Sequence, residues 1–194
     1  MVVVGIDPGS RVTGIGIVEA DGSRLDLRHY QALRLGDGPF PERLGRLFQA
    51  VRAAASDYGA QAAAVETVYV KRNADSALKL GQARGAAIAA LVDAGLAVGE
   101  YTPAVIKEAV VGRGSASKDQ VGYMIQHLLA LPEAAPEDAA DALGVAVCHS
   151  HHLQAGARLG AAGDGPSAAG PSAQGGEARE LLRQARASRS GRRR

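Results

Sequence analysis

Three strand-like segments near the N-terminus, the first two rich in β-branched residues and each followed by turn residues, constrain the fold most strongly. The apolar run 2–6 ends at the Asp-Pro-Gly sequence 7–9, where proline and glycine favour a turn. A second run, 12–18, leads to the Asp-Gly pair 21–22, which is typical of a hairpin turn into the third run, 24–33. We therefore expect an antiparallel meander of three strands at the start of the fold.

The rest of the chain alternates between helical and strand patterns. Apolar residues spaced three and four apart indicate helices, and short apolar runs bounded by glycine or proline indicate strands. This order predicts an α/β fold with a mixed five-stranded sheet flanked by α-helices. The predicted elements are a helix over 41–58, a strand over 62–66, a helix over 73–92, a strand over 96–101, a loop over 102–116, a helix over 117–131 and a helix from 136 to about 151.

Composition divides the chain into a folded domain, 1–152, and a tail, 153–194. The formal net charge of +2 is unevenly distributed, because residues 1–150 have a balance of −3 and residues 151–194 a balance of +5. The tail is rich in Gly, Ala, Ser and Pro without apolar periodicity, which is typical of a flexible linker. Its last three residues are arginines. A nucleic-acid-binding arm and a solubilising tail both fit this pattern.

The apolar runs and the cysteine content indicate the compartment. No apolar run approaches the roughly 20 residues that a membrane-spanning helix needs, and no signal segment is expected at the N-terminus. The single cysteine, Cys148, excludes an internal disulfide, so the cytoplasm is the simplest location. His149, His151 and His152 lie beside Cys148, and we expect a surface histidine cluster there instead of a soft-metal site.

Four acidic residues stand where predicted elements begin or end. Asp7 ends the first strand and Glu66 ends the fourth. Asp138 and Asp141 lie in the first turns of the last helix, three residues apart, a spacing that places both on one helical face. Because burying an isolated charge is costly, an acid that directly follows an apolar strand must lie at the sheet rim or have a partner. Two such acids suggest a metal site.

The chemistry of these side chains favours a hard divalent cation. Carboxylates suit Mg²⁺ or Mn²⁺, which usually keep several waters and act on phosphate substrates. Two such ions about 3.5 to 4 Å apart can activate a water and stabilise the leaving oxygen of a phosphodiester. Asp138 and Asp141 alone have a simpler explanation, since acids are favourable near the positive end of a helix dipole. That explanation does not apply to Asp7 and Glu66, and the pattern itself does not name the substrate.

Three ordered motifs give the chain a specific resemblance. They are GIDPGSRVTG at 5–14, NADSALKLGQARG at 73–85 and DAADAL at 138–143. From about residue 1 to residue 152 the sequence resembles the bacterial RuvC Holliday-junction resolvases. The resemblance implies a ribonuclease H-like nuclease domain over these residues, and it assigns no role to residues 156–194.

The resemblance also implies an activity. Members of this family are Mg²⁺-dependent endonucleases that resolve four-way DNA junctions in recombination and repair by paired symmetric nicks, leaving 5′-phosphate and 3′-hydroxyl ends. Asp7, Glu66, Asp138 and Asp141 match the family's catalytic, metal-binding carboxylates one by one. The implied cofactor is two Mg²⁺ per subunit, with Mn²⁺ as a substitute. The implied partners are junction DNA, a second copy in a homodimer, and the RuvA–RuvB branch-migration complex.

A basic stretch accompanies the acids. Residues 71–118 contain seven Lys and Arg against four Asp and Glu, a balance of +3 that favours contact with phosphates. The resemblance implies that Lys107 and Lys118 contact DNA near the scissile phosphate. It also implies that Tyr69 stacks on junction bases or wedges between them. The predicted DNA-contacting residues are Tyr69, Lys71, Arg72, Lys79, Arg84, Lys107 and Lys118.

Two other functional classes fit part of the pattern. One is an ATPase half of the actin and sugar-kinase fold, whose first hairpin also carries an acid, a glycine and hydroxyl residues. That fold needs two such domains, and the chain has one. The other is a non-catalytic junction-binding module, which would keep the basic surface and lose the chemistry. The presence of all four acids argues against it.

Overall fold

The computed structural model describes residues 1–67 and 74–161. Contacts within the chain define one unit over Met1–Ala157 and a second over Arg158–Arg194, of which the structure describes only the first residues. The five strands are Val2–Asp7 (β1), Val12–Asp21 (β2), Arg24–Arg34 (β3), Ala62–Glu66 (β4) and Val98–Tyr101 (β5). The helices are Phe40–Asp57 (α1), Ala74–Asp93 (α2), Pro103–Val111 (α3), Lys118–Leu128 (α4) and Glu137–Ala161 (α5).

The strands form one mixed sheet in the order β3-β2-β1-β4-β5. The first three strands pair antiparallel as a meander, whereas β4 pairs parallel with both β1 and β5. The predicted mixed five-stranded sheet is therefore confirmed. Because β1 and β4 are parallel neighbours with Ile6 opposite Val65, both strands end at the same edge of the sheet. Asp7 and Glu66 are the last residues of these two strands.

Apolar side chains cover both faces of the sheet. Successive residues of a strand point to opposite faces, and β1 is buried on both sides. Val4 and Ile6 belong to a core shared with α1 and α2, while Val3 belongs to a core shared with α3, α4 and α5. The sheet is thus the middle layer of three. None of the helices in the described ranges combines the length and apolar character that crossing a membrane requires.

Helix α5 lies directly on the sheet because three glycines leave room for its backbone. A Cβ on Gly14 would lie 1.9 Å from the Asp138 carbonyl oxygen, and one on Gly16 would lie 2.5 Å from the Leu143 nitrogen. Gly5, which pairs with Gly16 across β1 and β2, would bring its Cβ within 2.4 Å of α5 in the same way. No side chain fits at these positions. Since Gly14 pairs with Asp7, this contact sets the first turn of α5 beside Asp7.

The predicted loop over 102–116 is wrong for most of its length, because residues 103–111 form α3. The Thr102 hydroxyl accepts a hydrogen bond from the Val105 backbone N–H, and Pro103 occupies the first turn, where its missing N–H costs nothing. Gly112 ends the helix with φ at 81°, a conformation that glycine adopts without strain. The capping signals were present in the sequence, but the helix is only nine residues long, so its apolar periodicity was too short to indicate a helix.

Three element ends also differ from the predictions. Helix α5 continues to Ala161, past the predicted end near residue 151, because residues 153–158 include Leu, Gln, Ala and Arg, which favour helix. Helix α4 ends at Leu128, three residues early. Strand β5 starts at Val98 instead of Leu96, because the Leu96 N–H donates to the Leu91 carbonyl and closes the end of α2.

The expected surface histidine cluster is wrong for His149, which is 8% exposed and packs against β5. The Tyr101 hydroxyl lies 2.8 Å from His149 Nδ1, and the His149 ring occupies the space that a side chain at Gly99 would need. Burial, with a smaller contribution from the nearby His152, lowers the pKa of His149 to about 4. His149 is therefore neutral at neutral pH and can accept a hydrogen bond from Tyr101. This contact ties the middle of α5 to the end of β5.

Candidate functional site

Three of the four predicted acids line one cavity at the carboxyl ends of β1 and β4. Asp7 and Glu66 reach it from the sheet, and Asp141 reaches it from the first turns of α5. The cavity has a volume of about 470 Å³. Its remaining lining residues are Thr67, Leu80, Pro103, Ile106, Lys107, Lys118 and Val121.

Asp138 stands beside this group without lining the cavity. It is half-buried, and its backbone carbonyl rests on Gly14. Its negative charge adds to the rise in the pKa of Asp7, after burial and the charges of Glu66 and Asp141. The structure therefore gathers all four predicted acids at one edge of the sheet, with Asp7, Glu66 and Asp141 at the cavity wall.

The carboxylates repel one another in a partly buried setting. Burial, followed by the charges of Glu66, Asp141 and Asp138, raises the pKa of Asp7 to about 8, although the charge of Lys118 opposes the rise. Burial also raises the pKa of Glu66, followed by repulsion from Asp141, while a hydrogen bond with Asp7 opposes the rise. Such a cluster is unfavourable without compensating positive charge. Added positive charge at this site would therefore be stabilising.

Lys118 supplies part of that positive charge from the first residue of α4. Its Nζ lies 2.9 Å from Asp141 Oδ2 and 2.7 Å from Glu137 Oε1. Hydrogen bonds to these two carboxylates raise the pKa of Lys118, so its ammonium stays charged at neutral pH. Ser117 and Gln120 form a capping box that begins α4 at this position.

Glu137 is a site residue that the sequence reasoning missed. It is exposed, it immediately precedes the Asp138 motif, and it forms a salt bridge with Lys118, which also contacts Asp141. The available signal was a third acid in the first turn of the last helix. That signal was ambiguous, because acids at helix N-termini are common for reasons of the helix dipole alone.

The donor chemistry of the site fits a hard divalent cation. The four side chains offer only carboxylate oxygens, the ligand type that Mg²⁺ and Mn²⁺ prefer. A divalent charge would offset the repulsion that raises the pKa of Asp7. Among the described residues, no group of three or more His, Cys, Asp and Glu side chains has an arrangement that could hold a metal ion as placed. Lys118 is the cation that contacts Asp141 in this arrangement.

The structure separates the predicted DNA-contacting residues into groups. Lys107 and Lys118 line the cavity, whereas Lys79 is exposed on α2 and forms a 2.6 Å salt bridge with Asp75. The Arg84 guanidinium donates to the Glu66 carbonyl at 3.2 Å and pairs with Glu100, so it supports the end of β4. Tyr69, Lys71 and Arg72 lie outside the described residues.

Thr67 is a further residue that the sequence reasoning did not select. Its backbone N–H and its hydroxyl both donate to the Tyr101 carbonyl, at 2.8 and 3.1 Å. These bonds fasten the end of β4 to β5 directly after Glu66. A hydroxyl residue next to a candidate acid was the only signal, and such residues are common at strand ends.

Comparison with protein families gives a match over most of the chain. The family model described as crossover junction endodeoxyribonuclease RuvC matches residues 3–149. A protein of that description from Alkalilimnicola ehrlichii is 55% identical over 163 residues, which cover 83% of this chain and 98% of that protein. Another from Pelobacter propionicus is 55% identical over 156 residues, covering 79% of this chain and 89% of that protein.

Solved structures give the same result. Thermus thermophilus RuvC superposes with a TM-score of 0.74 at 36% identity, covering 80% of this chain and 97% of that one. The complex of Thermus thermophilus RuvC with a Holliday junction substrate gives a TM-score of 0.76 at 35% identity, covering 80% and 96%. The predicted ribonuclease H-like α/β fold is confirmed by these matches. Sequence, fold and family model agree, and the chain belongs to the RuvC family of crossover junction endodeoxyribonucleases.

Proposed function

We propose that this chain resolves four-way DNA junctions in recombination and repair by paired, symmetric, metal-dependent nicks. The observation that carries the proposal is the cavity in which Asp7, Glu66 and Asp141 meet beside Lys107 and Lys118. Acidic groups that hold a cation, next to basic groups that hold a phosphate, suit hydrolysis of a phosphodiester. Family membership supports the junction as substrate, because the related Thermus thermophilus structure contains a Holliday junction.

Each residue has a role that follows from its place in the site. Asp7, Glu66, Asp138 and Asp141 would hold two Mg²⁺ ions, with Mn²⁺ as a substitute. Bound there, the ions supply the positive charge that activates a water and stabilises the leaving oxygen. Lys107 and Lys118, which line the cavity, bind and orient the phosphate. Arg84 and Thr67 keep the end of β4, and therefore Glu66, in position.

The two competing interpretations of the sequence are not favoured. A non-catalytic junction-binding module would have no need for four acids whose repulsion raises the pKa of Asp7. The ATPase half of an actin-like fold is not supported by the family match, which covers residues 3–149.

Symmetric nicking places requirements on the assembly. One carboxylate cavity cuts one strand, so two symmetric nicks need two copies of the chain, and we include a homodimer in the proposal. The proposal also includes cooperation with RuvA–RuvB and a cytoplasmic location. It further divides the chain into a nuclease domain, 1–152, and a basic tail, 153–194. Residues 153–161 belong to α5, so any linker would begin after that helix.

The metal and the product ends can be tested together. We expect cleavage of a labelled four-way junction with Mg²⁺ or Mn²⁺ and none in EDTA, because carboxylate oxygens bind hard divalent cations, which would activate the attacking water. If water attacks phosphorus and the bond to the 3′ oxygen breaks, as the family resemblance implies, the products are a 5′-phosphate and a 3′-hydroxyl, so DNA ligase should seal the nicks. Products that ligase cannot seal, or equal cleavage in EDTA, would contradict the proposed chemistry.

A further inference from the structure

A second group of basic residues lies at the same edge of the sheet as Asp7 and Glu66. Strand β2 begins at this edge and β3 ends there, with Val12 opposite Arg34. The Leu35 N–H donates to the Arg11 carbonyl at 2.9 Å, so Arg11 and Arg34 belong to one small paired segment. Helix α1 also begins near this edge, and its second turn carries Arg46. We call Arg11, Arg34 and Arg46 the arginine surface.

Two of these arginines, Arg34 and Arg46, differ from the other exposed arginines on β3 and α1. Arg24 and Arg28 on β3 and Arg52 on α1 all form salt bridges, with Asp26, Glu19 and Asp93. The arginine surface is exposed, and its members form no salt bridge with any described residue. When the neighbouring acids Asp37 and Glu42 are counted with the three arginines, the local charge balance is still +1.

The loop 8–11, which carries Arg11, is held in place by contacts at two points. Arg43 donates to the Ser10 carbonyl, and its guanidinium packs over the Phe40 ring at 5.4 Å. These two contacts hold the Arg43 side chain against the loop. Its Nε is buried and has no hydrogen-bond partner among the described residues. On the other side, the buried Thr13 hydroxyl donates to the Gly9 carbonyl at 3.0 Å. The segment after Asp7 therefore presents Arg11 from a fixed backbone.

The position of this surface relative to the acids suggests its partner. Strand β3 lies two strands from β1, which at about 4.8 Å per strand places Arg34 roughly 10 Å across the sheet from Asp7. Lys107 and Lys118 line the cavity together with Glu66 and Thr67 at the end of β4, the neighbour of β1 on the side away from β2. The acidic cavity thus has cationic groups on both sides, as expected if DNA crosses it and continues in both directions.

We propose that the arginine surface binds backbone phosphates of the DNA arm that leaves the cavity on the β2–β3 side. This inference rests on the proposed function, because it takes junction DNA as the ligand. It assigns to Arg11, Arg34 and Arg46 a role in positioning DNA, and to Arg43 a role in positioning the loop. Phosphate contacts of this kind add affinity and fix orientation without reading the base sequence.

The test compares two triple variants with the same change in charge. R11A/R34A/R46A removes the arginine surface, whereas R24A/R28A/R52A removes three salt-bridged arginines from the same strand and helix. Binding to a fluorescent four-way junction is measured by anisotropy in EDTA from 50 to 300 mM KCl. We expect R11A/R34A/R46A to bind about tenfold or more weakly at 100 mM, with a salt slope reduced by about 0.9 for each phosphate that the variant no longer neutralises. The control variant should keep a Kd within about twofold of wild type.

Two further measurements distinguish loss of phosphate contacts from loss of folded structure. R11K/R34K/R46K keeps the charge and should restore the salt slope, while circular dichroism verifies that each variant is folded. If R11A/R34A/R46A is no weaker in binding and no less salt-dependent than R24A/R28A/R52A, the inference is overturned even though wild type binds and cuts the junction. If wild type neither prefers nor cuts the junction, the proposed function fails and the inference fails with it.

Discussion

Replacement of Asp7 with Asn is expected to reduce junction cleavage by about 1,000-fold or more, equivalent to about 4 kcal/mol of transition-state stabilisation. The amide keeps the size of the side chain and removes the charge that a divalent cation needs. Junction binding in EDTA should persist, because Lys107 and Lys118 are untouched. The melting temperature in EDTA should stay the same or rise, since the change relieves repulsion from Glu66 and Asp141. Single-turnover cleavage, anisotropy and thermal unfolding measure the three effects.

The matched control is Asp57→Asn, which makes the same chemical change at an exposed position at the end of α1. It should cleave at the wild-type rate. Cleavage by Asp7→Asn within tenfold of wild type would show that this carboxylate is not a metal ligand. Loss of the folded circular dichroism signal would instead mark a structural defect, and Glu66→Gln would then carry the same test.

Substitution of Gly14 by Ala should damage both stability and activity. Its Cβ would stand 1.9 Å from the Asp138 carbonyl oxygen, so the first turn of α5 must move away from β2. Overpacking of this kind costs about 1–3 kcal/mol of folding free energy. A displacement of about 1 Å at a catalytic group can reduce the rate by about 100-fold, and α5 carries Asp138 and Asp141. Chemical denaturation and single-turnover cleavage at a temperature where the variant is folded give the two quantities.

Gly45→Ala is the control for this change. Gly45 lies within α1, is exposed and has open space where a Cβ would stand. Alanine there should leave cleavage unchanged and stabilise the helix by about 0.5–1 kcal/mol. A Gly14→Ala variant that matches Gly45→Ala in both measurements would show that close approach of α5 to β2 does not set the site.

The sheet and the acids were predictable because their signals are local. The β-branched runs 2–6 and 12–18 and the turn residues that follow them indicate the three-strand meander without reference to the rest of the chain. Asp7 and Glu66 stand out because each directly follows an apolar run, and parallel neighbouring strands end at the same edge. Asp138 and Asp141 were grouped with them from their place in the last helix, and the motif resemblance supplied the substrate and the match of all four to catalytic carboxylates.

Other features depend on contacts between distant parts of the chain. Gly14 and Gly16 look like ordinary weak points of a strand until α5, more than 120 residues later, is placed on them. Arg52 forms a salt bridge and Arg46 forms none with a described residue, a difference that is likewise invisible in sequence because the Arg52 partner is Asp93 on α2. Helix α3 was missed because nine residues give too little periodicity to detect.

The charge of the site illustrates the same limit. Counting residues gives a balance of −3 for 1–150 and hides both the acidic cavity and the basic groups around it. The fold separates these charges by placing the acids at the ends of β1 and β4 and the arginine surface across β2 and β3. Net charge alone therefore gives little indication that the chain acts on DNA.

The most direct test of the central claim compares a synthetic four-way junction with linear duplexes of the same arm sequences. Each strand is labelled in turn, and cleavage is followed with and without Mg²⁺. We predict paired nicks at symmetric positions in two opposing strands of the junction, dependent on Mg²⁺, with little cleavage of the duplexes. Equal cleavage of junction and duplex, or nicks without symmetry, would contradict the assignment of the Asp7 cavity to junction resolution.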